Sequence, residues 1–308
     1  MGKLRSFLKV NSTAFTFGTI SYLVFNYSSA PILFLWTVTM HYLLFCIVNS
    51  RNALKKDLLK IKEEASSLPE APPTPNKATK FVPTLRDARY VLMWCLLETW
   101  SHYYVRLLST TNILYEVVTF IPKTFVFELA FDFCFYWQHY LLHHVPVLYK
   151  NIHKVHHQHS TNISTASVYV LHVGDLVLST ASILVAASVV PLYEYQYFTW
   201  AVYRILGEQA GHVAVYNSDS CFSQCIWLPR LLDIDRNNAD HFQHHALNNC
   251  NYSKRFSMWD RVFGTFKPFY RPPTATTEPA AAAAVDKMIR QVTKVCWWAA
   301  LLVVGIYC

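Results

Sequence analysis

Charge is what this chain lacks. Asp, Glu, Lys and Arg make up 15% of its 308 residues, against 53% hydrophobic and 16% aromatic, whereas a soluble globular domain carries about a quarter charged residues. From Val10 to Ser50 none of the four occurs, and these 41 positions exceed one crossing of a roughly 30 Å hydrocarbon layer at about 1.5 Å per residue. A cleaved signal peptide has a shorter apolar region and a small-residue cleavage site, and neither is present. The eight cysteines are scattered without a Cys-x-x-Cys, which argues against a disulfide framework. Cys221 and Cys225 read as plain loop residues. No arginine-rich stripe with interleaved aromatics occurs, so nucleic acid is not an expected partner.

The uncharged stretch breaks near its middle at Asn26 to Pro31, and a membrane hairpin over 10–49 is the simplest reading. Lys3, Arg5 and Lys9 precede it; Arg51, Lys55, Lys56, Lys60 and Lys62 follow it. Basic flanks at both ends place both ends in the cytoplasm, and the net charge of +8 fits contact with anionic headgroups. A basic, then Pro-rich, cytosolic linker spans 50–88. The third unit, 89–270, holds the apolar segments Tyr90–Leu108, Asn112–His144, Ser167–Tyr193 and Tyr195–Val215. A Pro/Ala linker and an apolar tail, too short for a ready span, occupy 271–308. The expected fold is all-α: a polytopic integral membrane helical bundle of about 4–6 membrane segments.

What the chain has is histidine. Twelve of 14 lie between His139 and His245, eight of them in three clusters: His139-x-x-x-His143, His153-x-x-His156-His157 and His241-x-x-His244-His245. On a helix, positions i, i+3 and i+4 share a face, so each cluster is expected to aim its imidazoles at one point. A lone histidine is usually a satisfied polar residue, and His41 and His102 are read that way. Three ordered clusters suit two transition-metal ions with positions left for substrate. Glu128, Asp132, Asp175 and Asp240 are candidate acceptors for the imidazole N–H groups, which would fix the tautomers. Lys150 and Lys154, between the first two clusters, place the clusters on the cytoplasmic side. The sequons at Asn162 and Asn251 are then expected to stay unglycosylated.

The order of these clusters, with "YWQHYLLHH", "LYKNIHKVHHQHS", "GEQAGH" and "NCNYSKRFSMWDRVFGTF" around them, resembles the membrane fatty acid hydroxylase/sterol desaturase superfamily. The likeness runs from Asp132 to Phe266 and is nearest to the cholesterol 25-hydroxylase and methylsterol oxidase branch. It implies that His139, His143, His153, His156, His157, His241, His244 and His245 are metal ligands. It adds His212 as a ninth and, as a tenth candidate, His172, whose "HVGD" keeps the family's acid but loses its proline. Tyr140 stands where the family often has arginine. Asn251, Trp259, Asp260 and Gly264 fall in the block after the third cluster, where packing against the helices is the expected role. The resemblance further implies two iron ions, replaceable by zinc in purified protein, with O2 as co-substrate and a lipid or sterol as substrate. The expected activity is hydroxylation; fatty-acyl or sphingolipid hydroxylation or desaturation is the alternative. Electrons would come from NAD(P)H through a reductase and a partner such as cytochrome b5, because the chain has no Gly-x-Gly-x-x-Gly loop of its own. The implied location is the endoplasmic reticulum membrane. A metal transporter, the rival class, needs ligands strung along a path, which His41 and His102 do not supply. A non-catalytic scaffold gives no reason for three complete clusters.

Overall fold

The computed structural model describes residues 2–50, 85–110, 112–162, 165–212 and 221–267. The 50–88 linker falls almost wholly outside the described residues, and the 271–308 tail wholly so. Helices α1 (Gly2–Tyr27) and α2 (Ala30–Ser50) form the hairpin. Its turn is two residues, Ser28 and Ser29, and Pro31 sits in the first turn of α2, where a missing N–H costs nothing. Trp36 Nε1 donates to Ser21 Oγ (2.8 Å) and Thr19 Oγ1 meets Tyr195 Oη (3.0 Å), which ties the hairpin together and to the rest.

Helix α3 (Leu85–His102) leads to α4 (Ile113–His144), whose 32 residues make a rod of about 48 Å at 1.5 Å per residue. Asn112 caps α4 by accepting from the Tyr115 N–H, and Pro122 lies within the helix. Pro146 then opens the short α5 (Pro146–Asn151). Two 3₁₀ segments follow, His153–Asn162 and Thr165–Tyr169, so the apolar stretch expected from Ser167 begins outside any α-helix. Helix α6 (Val173–Val189), α7 (Glu194–Gly211), α8 (Leu228–Leu231), α9 (Asn238–Leu247) and α10 (Met258–Val262) complete the described helices. The fold is mostly helical; its one sheet among the described residues is a two-residue parallel clasp, Leu107 opposite Leu192 and Leu108 opposite Tyr193.

Helix α7 is the central post. From Tyr195 to Leu206 every residue is buried, because α1, α2, α4 and α9 all pack on it. Trp200 is fully buried against Phe127 and Phe131 of α4, with the Phe127 ring 4.7 Å away edge-on. Burying each such side chain contributes about 1.5–3 kcal/mol. The outer faces are apolar too: Leu114 and Val118 on α4, Leu35 on α2 and Val189 on α6 are exposed.

By length and composition, one described helix can cross a membrane, within α2 at Ala30–Val48; α6 is apolar but shorter. Helices α4 and α7, which hold two of the apolar segments read from the sequence, carry Lys123, Glu128, Asp132, Arg204 and Glu208. All of these except Lys123 are buried inside the bundle.

Candidate metal centre

Helix α4 carries His139 and His143 near its C-terminal end, about one helical turn apart on one face. The 3₁₀ segment supplies His153, His156 and His157, α9 supplies His241, His244 and His245, and His212 ends α7. These nine histidines make two groups: His139, His143, His153, His157 and His244 in one, His156, His212, His241 and His245 in the other. Within each group one nitrogen per residue lies within 4.8 Å of all the others. The groups adjoin, with the His157 and His245 rings 4.5 Å apart.

The clusters do not each converge on one point. In both His-x-x-His-His motifs the first and last histidines enter one group and the middle one enters the other. His153 and His157 face the five-membered group and His156 the four-membered one; His241 and His245 face the four-membered group and His244 the five-membered one. The repeated motif is thus a repeated division of ligands between two sites.

The chemistry of the donors fits a cation. His139 Nδ1 donates to the Tyr252 carbonyl (2.7 Å), and His153 Nδ1 donates to Asp175 Oδ1 (2.9 Å). A neutral ring that donates from Nδ1 keeps its lone pair on Nε2, and these two Nε2 atoms stand 3.1 Å apart. Two lone pairs cannot hydrogen-bond to each other. Further Nε2 contacts join His157 to His153 (3.1 Å), His244 to His157 (3.2 Å), His241 to His212 (3.2 Å) and His245 to His241 (3.1 Å). For a metal–nitrogen bond near 2.1 Å, neighbouring ligands lie about 3.0 Å apart in an octahedron and about 3.4 Å in a tetrahedron. The observed separations fall in that interval. Burial, reinforced by the neighbouring imidazoles, holds His156, His157, His241, His244 and His245 well below the usual histidine range. They are neutral at physiological pH, the form that ligates a metal.

Backbone carbonyls, more than carboxylates, orient the rings. His244 Nδ1 donates to the Cys250 carbonyl (2.7 Å) and His212 Nδ1 to the Glu208 carbonyl (2.8 Å). Among the candidate carboxylates, Asp175 accepts from the His153 imidazole. Asp132 instead accepts from the Lys254, Arg255 and Phe256 N–H groups, and Asp240 accepts from the Asn237 N–H in the capping box of α9. Glu128 accepts from Trp200 Nε1 and Gln224 Nε2. Asp260 takes the Tyr252 and Ser253 N–H groups. Two aspartates therefore grip five consecutive N–H groups, from Tyr252 to Phe256, and fix the Tyr252 carbonyl against His139. Asp175 is among the acceptors expected from sequence; the carbonyl partners have no side-chain signature.

The remaining candidates fall as follows. His172 lies outside both groups, and its Nδ1 accepts from the Gly174 N–H to cap α6. His144 stacks on Tyr140, 3.8 Å between ring centroids. His41 meets Tyr169 and Glu98, and His102 meets Tyr197, as satisfied polar residues. Asn251 has φ +58° and its amide donates to the Asp240 and Lys267 carbonyls, while Trp259 Nε1 donates to the Leu129 carbonyl. Gly264 takes φ +73°, a turn that favours glycine. Cys221 and Cys225 are free.

A cavity with about 1060 Å³ of empty space, its mouth included, runs from His139, His153, His156, His212 and His241 to Trp94, Leu97 and Glu98. Its walls include Phe135, Leu142, Val168, Leu171, Leu176 and Ile183. It joins the two histidine groups to an apolar chamber.

Residues 124–265 match the fatty acid hydroxylase family. The matched span contains all nine grouped histidines. Over 163 residues the chain is 33% identical to methylsterol monooxygenase 2-2 of Arabidopsis thaliana, covering 52% of this chain and 56% of that protein. It is 29% identical over 155 residues to cholesterol 25-hydroxylase of Mus musculus, 49% of each chain. It is 31% identical over 157 residues to very-long-chain aldehyde decarbonylase GL1-11 of Oryza sativa subsp. indica, 50% of this chain and 54% of that one. The chain thus spans about half the length of these curated relatives. No solved structure matches it.

Proposed function

We propose that this protein is a membrane-bound di-iron monooxygenase that hydroxylates a sterol or related lipid. The single observation that carries the reading is the convergence of nine imidazoles in two adjoining groups, with Nε2 atoms meeting at 3.1–3.2 Å, beside a largely apolar cavity that five of them line. His139, His143, His153, His157 and His244 hold one ion; His156, His212, His241 and His245 hold the other. When bound, the iron pair supplies the activation of O2 that an unactivated C–H bond requires. The balance is RH + O2 + two electrons + two protons giving ROH + water, with the electrons from NAD(P)H through a separate reductase and a cytochrome b5-type carrier.

The chain's own work is positioning. Tyr252, Cys250 and Asp175 hold the rings of His139, His244 and His153 in one tautomer. Phe135, Leu142, Leu176 and Ile183 exclude water beside the histidines. Exposed apolar faces on α2, α4 and α6 meet lipid, so substrate enters from the bilayer. In this reading the N-terminus, the Pro-rich linker and all three clusters face the cytoplasm of the endoplasmic reticulum. Asn251 is fully buried, so Asn162 is the sequon whose glycosylation reports on that topology.

The test is iron-loaded full-length protein in microsomes with labelled sterol, NAD(P)H and the reductase system. A product heavier by one oxygen, lost under anaerobiosis or chelation, is expected. No change in any sterol or acyl lipid would overturn the reading.

A further inference from the structure

One part of the cavity wall is not apolar. Glu98 Oε2 receives His41 Nε2 (3.2 Å), Trp94 Nε1 (3.1 Å) and the Arg204 guanidinium. Glu98 Oε1 and Arg204 Nε have no partner, although both residues are more than nine-tenths buried and line the cavity. A buried carboxylate oxygen left unpaired is costly, and sites that hold one commonly have a use for it.

The charge around it selects the ligand. Arg204 lies between two carboxylates, Glu98 and, through Nη1 at 3.4 Å, Glu208; Lys254 meets Glu208 from the other side at 3.1 Å. An ionised fatty acid placed there would set carboxylate against carboxylate. A neutral hydroxyl can donate to Glu98 Oε1 and accept from Arg204 without adding charge.

Helix α7 gives the length. Arg204, Glu208 and His212 recur every four residues and line one face, so eight residues separate Arg204 from His212, about 12 Å along the helix axis.

We propose that Glu98 and Arg204 bind the hydroxyl of a neutral lipid whose reacting carbon lies on the order of 12 Å away. This rests on the lipid-hydroxylase reading and narrows it. Carbons next to the anchoring hydroxyl are held away from the histidines, while the far end of the molecule is presented to them.

The experiment uses full-length, metal-loaded protein in detergent, cholesterol as the hydroxyl probe, and its 3-methyl ether, which cannot donate. Equilibrium binding is read first and product structure second. Wild type should bind the ether about tenfold or more weakly, the scale of a hydrogen bond to a charged acceptor. Glu98→Gln should bring the two affinities within about threefold of each other. Should that variant fail to fold, the wild-type comparison decides alone. Equal wild-type affinity for the two sterols, binding of neither, or oxidation beside the hydroxyl overturns the anchor. If the ether is bound and oxidised as well as cholesterol, the anchor falls and the hydroxylase reading stands. If binding discriminates but no lipid gains oxygen, the anchor stands and the hydroxylase reading falls.

Discussion

The two histidine groups are built to different standards. In the five-membered group, His139, His153 and His244 each donate from Nδ1 to a fixed acceptor: the Tyr252 carbonyl, Asp175 and the Cys250 carbonyl. In the four-membered group His212 has such a partner, the Glu208 carbonyl, and the buried Nδ1 atoms of His156 and His245 have none; in the five-membered group His157 Nδ1 has none. Outer partners of this kind are typically worth 10–100-fold in metal affinity. If each group takes an ion, as proposed, the two need not be held alike. The five-membered group should load first and release last.

The comparison breaks most sharply at the ligands themselves. On the proposed reading, in which both ions serve one reaction, His244→Ala and His245→Ala should each abolish hydroxylation, by roughly 1000-fold or more. Metal content should separate them: His245→Ala keeps one ion, in the five-membered group, while His244→Ala weakens the stronger site. Elemental analysis of purified variants checks this, and identical metal loss in both would erase the distinction between the groups.

Asp132→Ala should act on the frame. It strips the Lys254, Arg255 and Phe256 N–H groups of their acceptor, at about 1–3 kcal/mol for each of the two buried ones, Arg255 and Phe256. A large loss of thermal stability with release of metal from the five-membered group is expected; unchanged unfolding would contradict the role given to Asp132. Asp175→Asn should be milder, weakening metal in the five-membered group about 10–100-fold and sparing the other. A competitive chelator titration reads this as a shift of the later phase only.

Acid should produce the most gradual effect. Burial holds His156, His157, His241, His244 and His245 below their unfolded value, which is about 6.5. The unfolded chain therefore binds more protons than the folded one as pH falls through 6.5. Stability rises with pH up to that value, is full above it and is lost progressively below it. Unfolding midpoints measured with and without metal from pH 8 to 5 should be flat above about 7 and fall below about 6.5. A midpoint that rises on acidification would contradict the neutral state assigned to these rings.

Much of this was legible in the sequence. The break at Asn26–Pro31 marks the hairpin turn because proline and polar residues interrupt an uncharged run, and the three clusters name eight of the nine grouped histidines. His212 came through the family likeness of "GEQAGH", since a single histidine carries no spacing signal. The division of each His-x-x-His-His between two groups was not legible: it occurs both on the 3₁₀ segment and on the α-helix α9, so the approach of the four histidine-bearing segments sets it and local spacing does not. Asp132 and Asp175 look alike in sequence, yet one grips backbone and the other an imidazole. The carbonyls of Tyr252 and Cys250 are backbone groups, so no residue type announces them. His172 matched a family position but faces the start of α6.

The most direct test of the account is the metal count of detergent-purified full-length protein, read together with X-ray absorption at the metal edge. Two ions per chain, surrounded by imidazole nitrogen and oxygen without sulfur, are predicted. One ion per chain, or a thiolate from Cys221, Cys225 or Cys250 in the coordination sphere, would contradict it.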